Sequence, residues 1–226
     1  MKKYVIILAG GRGLRMETHT PKQFLLLKGK PILMHTIEAF YDYDQEISII
    51  LVLSEEYQSY WKGLCRTYHF EIPHQLVPGG STRFHSVKNA LELIDKHSIV
   101  AIHDGVRPLV SRDIIDSVYS AVKKGRAVCP VIPVSDSLRI KTKIGTRRVD
   151  RNNYYQVQTP QVFASKFLLS AYLQPYSEEF TDDVAVVESS RRCQTIVVDG
   201  SPENIKITTP ADLVIAEALL DLRCRS

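Results

Sequence analysis

Consecutive apolar residues, rich in β-branched side chains, recur along this 226-residue chain at Tyr4–Leu8, Ile47–Leu53, Ile99–Ile102, Ala127–Val134 and Thr195–Val198. Runs of that length and composition predict buried strands. Between them the apolar positions move to helical spacing, as with Phe84, Val87, Leu91 and Ile94, which fall on one helical face. Oxygen-bearing residues predict the helix starts: Ser54 before two glutamates, Ser81, Ser111, Thr181 before two aspartates, and Thr209 before Pro210. Strands alternating with helices predict an α/β fold around a mostly parallel sheet, and the length suits a single domain spanning residues 1–226.

One segment breaks the alternation. SDSLRIKTKIGTRRVDRNNYY, residues 135–155, is polar and basic, with extended runs on either side of a turn at Gly145. The pattern predicts a protruding β-hairpin arm. A two-stranded arm cannot bury both of its faces within its own domain, so dimerisation with a second copy is its expected use and a solvated hairpin the alternative.

Composition narrows the classes. Apolar residues make up 44% and charged residues 24%, which is ordinary globular usage, and no apolar run reaches membrane-spanning length. The opening MKKYVIILAGG lacks the longer core and cleavage site of a signal peptide, so a cytoplasmic protein with no membrane partner is expected. A net charge of +4 suits anionic ligands, but the basic residues are scattered, with pairs such as Arg147-Arg148 and Arg191-Arg192 and no stripe, so nucleic acid is not expected. Cys65, Cys129, Cys193 and Cys224 show neither zinc-ligand nor disulfide-framework spacing.

The chemistry concentrates where the first strand ends, in LAGGRGLRM, Leu8–Met16. A P-loop would need G-x-x-x-x-G-K-[ST], and the dinucleotide turn would need a third glycine where Met16 stands. Pro21 and Pro31 also interrupt the helix that a dinucleotide turn would open. What remains is a long loop carrying Arg12, Arg15 and Lys22, a cationic set able to surround a triphosphate during nucleotidyl transfer.

LAGGRGLRM with TPKQFL, VPGGSTRFHSV, HDGVRP, VDRNNYYQVQTPQ, TDDVAVVE and NIKITTPADL resemble, in order, the motifs of the cytidylyltransferases that act on 2-C-methyl-D-erythritol 4-phosphate in non-mevalonate isoprenoid synthesis. The resemblance covers nearly the whole chain. It implies a Rossmann-like nucleotidyltransferase sandwich, CTP and a polyol phosphate as partners, a divalent cation (Mg2+) as cofactor, and a homodimer. As catalytic residues it implies Arg15 and Lys22, which stabilise the transition state, with Arg151 and Lys206, which position the sugar phosphate. It implies nucleotide binding by Ala9, Gly10, Gly11, Arg12, Gly13, Gly80, Ser81, Arg83 and Ser86, of which Ala9, Gly10, Gly80, Ser81 and Ser86 frame the cytosine. Asp104, Gly105, Arg107, Ser137, Thr159 and Thr181 would join Arg151 and Lys206 around the substrate, with Asp104 also near the metal and Arg151 acting across the dimer.

Without the resemblance, Asp104 reads as a turn residue, Thr181 as a helix N-cap and Lys206 as a solvent-facing position in an extended segment. The chain departs from the family pattern in AGG for AAG, Ser81 for aspartate, HDGVRP for HDAARP and Ser137 for threonine. Ribitol 5-phosphate cytidylyltransferases resemble it through the same glycine-loop, PKQFL and NIKITTP runs, whereas VDRN followed by aromatics favours methylerythritol phosphate. Sugar-1-phosphate nucleotidyltransferases, which share the G-x-G-x-R and Pro-Lys pattern, and a catalytically silent nucleotide-binding domain are the remaining alternatives.

Overall fold

A computed structural model describes residues 1–11, 20–122, 127–190 and 194–223. Within them the five expected strands form: β1 (Lys2–Leu8), β4 (Ser48–Leu53), β6 (Ser98–Asp104), β7 (Ala127–Pro133) and β12 (Thr195–Asp199). Shorter pairing segments lie outside the predicted runs. Leu26–Leu27 (β2) and Lys30–Pro31 (β3) make a small ribbon, Gln75–Pro78 (β5) joins the sheet beside β4, and Tyr155–Val157 (β10) and Gln161–Ala164 (β11) pair with β7.

β1 pairs in parallel with β4 on one side and β6 on the other, while β4 pairs in parallel with β5. β12 runs parallel to β7 on the side opposite β10 and β11, which run antiparallel to it. The chain therefore leaves β1 toward β4 and β5 and returns to β6 across β1. That reversal creates a crevice at the carboxyl ends of β1 and β6, where open α/β sheets bind ligands.

The pleat sends alternate residues of β1 to opposite faces. Val5 and Ile7 pack with helices α1 (Ile32–Tyr43), α2 (Glu55–Thr67) and α4 (Arg112–Ala121), where Met34, Phe40, Trp61 and Val118 are buried. Tyr4 and Ile6 face α3 (Arg83–Leu91), α5 (Ser165–Ala171) and α6 (Asp183–Ser189) through Phe84, Val87, Leu168 and Val187. Each such side chain taken fully out of water contributes roughly 1.5–3 kcal/mol. A third, smaller cluster of Leu27, Ile32, Val106, Leu109, Ile207 and Ala216 docks α7 (Pro210–Arg223) against the β2–β3 ribbon.

Two helix starts differ from expectation by one residue. α3 is capped by Thr82, not Ser81, its hydroxyl accepting the His85 N–H, and α6 by Asp182, not Thr181, its carboxylate accepting the Ala185 N–H. At α6 the anionic oxygen of Asp182 outcompetes the neighbouring hydroxyl because it also meets the positive end of the helix dipole, while at α3 the Ser81 hydroxyl lies against His85 Nδ1 at 3.2 Å. Ser111 caps α4 as expected. The arm is a hairpin of β8 (Arg139–Thr142) and β9 (Gly145–Arg148), every residue of it exposed, and Tyr155 already belongs to β10 in the main sheet.

Three buried or half-buried histidines are wired in neutral form. His35 donates Nε2–H to Leu27 O at 2.8 Å. His74 donates Nδ1–H to Ile72 O at 2.7 Å and accepts the Trp61 indole N–H at 2.9 Å. His103, fully buried at the end of β6, donates Nε2–H to Arg107 O at 3.1 Å and accepts the Thr159 hydroxyl at Nδ1, 3.0 Å away. Burial lowers all three from the ordinary 6.5, and His103 reaches about 4. Since the folded values lie below the unfolded one, the unfolded chain takes up protons that the folded chain refuses. Stability is therefore complete above about pH 6.5 and is lost as pH falls from there toward about 4. A series of thermal melts over that interval should show a falling midpoint; a flat profile would contradict the neutral wiring.

Candidate active site

Three turns converge on the crevice. The first continues β1 through Ala9, Gly10 and Gly11, and a Cβ added to either glycine would meet nothing within 4 Å among the described residues. Both glycines border the cavity, where the lack of a side chain lets a ligand approach the main chain closely. The second is the 3-10 turn Lys22–Phe24. Gln23 is buried and donates Nε2–H to Ala9 O at 2.7 Å, and the Phe24 ring sits 5.1 Å from Tyr60 and 5.8 Å from Tyr57. These anchors fix the backbone from which Lys22 projects.

The third turn links β5 to α3. Gly80 fits so tightly over the first turn of α3 that a Cβ would lie 2.4 Å from His85 Cβ and 2.7 Å from its carbonyl carbon. Its N–H donates to Ser86 Oγ at 3.0 Å, and that hydroxyl donates to Thr82 O at 2.9 Å. With its hydrogen committed, Ser86 Oγ offers the cavity only a lone pair.

These turns, with Asp104 and Lys206, enclose about 290 Å³. A second cavity of about 310 Å³ shares Arg83, Asp104 and Lys206 with the first and adds Arg107, Thr159 and Thr181. Asp104 is the hinge between the two. Its Oδ2 accepts from Arg107 Nε at 3.0 Å and lies 3.2 Å from Lys206 Nζ. Burial pushes its carboxyl up, but the charges of Lys206, Arg107 and Arg83 overcome that and hold it well below the usual carboxylate range. The Asp104 N–H donates to Thr159 Oγ1 at 3.1 Å, so the Thr159 hydroxyl is engaged by Asp104 and His103 together.

Arg83 borders both cavities, yet its guanidinium is spent on Asp183, at 2.7 Å (Nη1 to Oδ1) and 2.5 Å (Nη2 to Oδ2). Burial lowers its proton affinity, and the buried Asp183 charge more than restores it. Asp183 also accepts the Tyr172 hydroxyl at 2.7 Å. This forked pair ties α3 to α6, and removing one partner of such a pair costs about 3–5 kcal/mol.

The expected site residues therefore divide. Ala9, Gly10, Gly11, Lys22, Gly80, Ser81, Arg83, Ser86, Asp104 and Lys206 border the first cavity, and Arg107, Thr159 and Thr181 border the second. Ser137 and Arg151 instead line a separate cavity of about 490 Å³ in the arm, beside Arg139 and Arg148. Gly105, expected among the substrate contacts, is buried beneath the crevice: its N–H donates to Leu8 O, its carbonyl accepts the Thr36 hydroxyl, and a Cβ would come within 3.0 Å of Leu8 O. It packs the floor. Arg12, Gly13 and Arg15 lie outside the described residues.

Sequence reasoning missed Gln23, Gln158, Asp183 and Asn204. Each bonds a main chain or a partner remote in sequence, so none stands out by its spacing along the chain. Asn204 is fully buried with its Oδ1 unpartnered among the described residues. An unsatisfied buried acceptor costs about 1–3 kcal/mol, offset by what the rest of that side chain does.

A family model described as 2-C-methyl-D-erythritol 4-phosphate cytidylyltransferase matches residues 3–222. A cytidylyltransferase of that description from Azobacteroides pseudotrichonymphae is 58% identical over 97% of this chain and 99% of its own length, and one from Phocaeicola vulgatus is 53% identical over 97% and 100%. Among solved structures, the 4-diphosphocytidyl-2C-methyl-D-erythritol synthase of Anaerococcus prevotii superposes with a TM-score of 0.83 at 28% identity, covering 97% of this chain and 96% of that one. On that fold, that crevice and that extent of match, the chain belongs to the 2-C-methyl-D-erythritol 4-phosphate cytidylyltransferase family.

Proposed function

We propose that the protein transfers CMP from CTP to 2-C-methyl-D-erythritol 4-phosphate, releasing pyrophosphate. A phosphate oxygen of the acceptor attacks the α-phosphorus of CTP, the bond from that phosphorus to the bridging oxygen breaks, and the electron pair leaves with pyrophosphate. The nucleophile is already ionised, so the reaction needs alignment and charge neutralisation, with no base. The observation that carries the reading is the pairing of two cavities across one ionised carboxylate, lined by Lys22, Lys206, Arg83 and Arg107. Among the described residues, both nitrogens of His103 are engaged, the Asp182 carboxylate at the second cavity accepts from Gln161 Nε2 and the Ala185 N–H, and Asp104 is too weak a base.

In this reading the first cavity takes CTP. The bare backbone of Gly10 and Gly11 lies along the nucleotide, and Ser86 Oγ, which can only accept, favours the exocyclic amine of cytosine over the carbonyl of uracil. Lys22, with Arg12 and Arg15 from the same loop, neutralises the triphosphate. The second cavity takes the polyol phosphate, with Lys206 and Arg107 as its cations and Thr181 at its rim. The family match and its relatives' descriptions support methylerythritol phosphate over ribitol phosphate.

Magnesium fits this donor set only through the nucleotide. Asp104 is ionised at the cavity edge, but its Oδ2 already serves two cations, and no cluster of three or more His, Cys, Asp or Glu side chains suitable for a metal occurs among the described residues. The ion would be held chiefly by triphosphate oxygens beside Asp104, where it would supply charge neutralisation.

The arm and the adjoining β10 support a homodimer. Ile144 is 99% exposed, and Ile140, Tyr154, Tyr155 and Val157 are about half exposed, an apolar set that a second copy would cover. Arg151, on the same arm, would then reach the acceptor of the partner's site. Among the described residues no helix is long and apolar enough to cross a membrane, and the reading places the enzyme in the cytoplasm.

Pyrophosphate release tests the chemistry. Wild type should turn over CTP with methylerythritol phosphate and fail with UTP or with ribitol 5-phosphate, while Lys22→Ala should lower kcat by about 10²–10³ with little change in acceptor KM. Turnover with ribitol 5-phosphate alone, or an undiminished Lys22→Ala rate, would refute the assignment. For the dimer, mixing the inactive Lys22→Ala and Arg151→Ala proteins should restore part of the activity, because one hybrid site keeps both residues. No recovery would show that the sites do not cross subunits.

A further inference from the structure

The loop that carries Lys206 is fastened by one carboxamide. Gln158 lies between β10 and β11, is 5% exposed, and has its own N–H on Pro130 O at 2.8 Å. Its Nε2 donates to Ser201 O at 2.8 Å and Asn204 O at 3.4 Å, and its Oε1 accepts the Ser201 N–H at 3.2 Å and Asn204 Nδ2 at 3.4 Å. That uses both hydrogens and both lone pairs of the side chain. Gly200 admits the approach, since a Cβ there would lie 2.4 Å from Gln158 Oε1.

Asn204 extends the attachment. Its Nδ2 donates to Thr159 O at 2.9 Å, and its carbonyl accepts Arg107 Nη1 at 2.7 Å. On the far side of Lys206, the Ile207 N–H bonds Val106 O at 2.9 Å. Lys206 therefore stands between two pinned residues, and its flexible stem starts from a fixed point.

We infer that Gln158, acting through Asn204, is a positioning residue that sets where Lys206 and Arg107 present their charges in the acceptor half of the crevice. Gln158 borders that cavity, but its carboxamide is committed to the loop and has nothing left for a substrate. The inference rests on the reading that Lys206 and Arg107 hold the acceptor phosphate. Small displacements of such cations cost rate and affinity out of proportion to the distance moved.

Gln158→Ala removes the attachment; Gln158→Glu keeps the length but loses both donors, and it carries the test if the alanine protein does not fold. Two readouts on the full chain separate positioning from general destabilisation. The KM for methylerythritol phosphate should rise about tenfold with the KM for CTP unchanged. Labelling of Lys206 by acetic anhydride, followed by mass spectrometry against the exposed Lys62 of α2, should rise about fivefold as the loop lets Lys206 leave Asp104. Parallel changes in both KM values, or unchanged Lys206 labelling in a folded variant, would overturn the inference. Raised labelling in a protein whose wild type does not turn over methylerythritol phosphate would keep the positioning role and reject the functional reading.

Discussion

A buried carboxylate that stays ionised must be surrounded by compensating charge, and Asp104 at the end of β6 imposes that demand on everything around it. Lys206 and Arg107 meet its Oδ2 directly, and Arg83 adds its field from α3. These cations come from three separate stretches of chain. Neutralising one oxygen therefore pulls the β5–α3 turn, the β6 end and the late loop into a single crevice. The Asp104–Thr159–His103–Arg107 hydrogen bonds then fix the carboxylate's backbone, so the anion cannot move to meet its cations and they must come to it.

That arrangement suits phosphoryl chemistry better than proton transfer. An anion matched by several cations is a place where a second, incoming anion can exchange for the first: as phosphate arrives, Lys206 and Arg107 already point at negative charge and need little reorganisation. The same logic explains why Arg83 is not a free ligand. With its fork closed on Asp183, it lends a field to the crevice and mechanical linkage between α3 and α6.

The long apolar runs were legible because burial on both faces leaves an uninterrupted signature, and β1, β4, β6, β7 and β12 all carried it. β5, β10 and β11 escaped because they span only three or four residues with glutamine or proline among them, and what holds them is pairing with β4, β7 and β6. The cap positions slipped by one residue where two adjacent oxygens compete, as at Ser81-Thr82 and Thr181-Asp182. At the site, charged residues announced themselves through motif spacing. Gly105 shared that spacing but faces inward, and Thr159 has its hydroxyl taken by His103 and Asp104. Gln158 left no pattern, because carboxamides that bond a distant main chain have no sequence period.

Asp104 and its cations form one electrostatic unit, which a double-mutant cycle on Asp104→Asn and Lys206→Ala, read as unfolding free energy, would reveal. The expected coupling is strong, roughly 0.5–3 kcal/mol, with the double variant no less stable than Asp104→Asn alone, because removing the carboxylate leaves Lys206 as an unbalanced charge. Losses that simply add would contradict it.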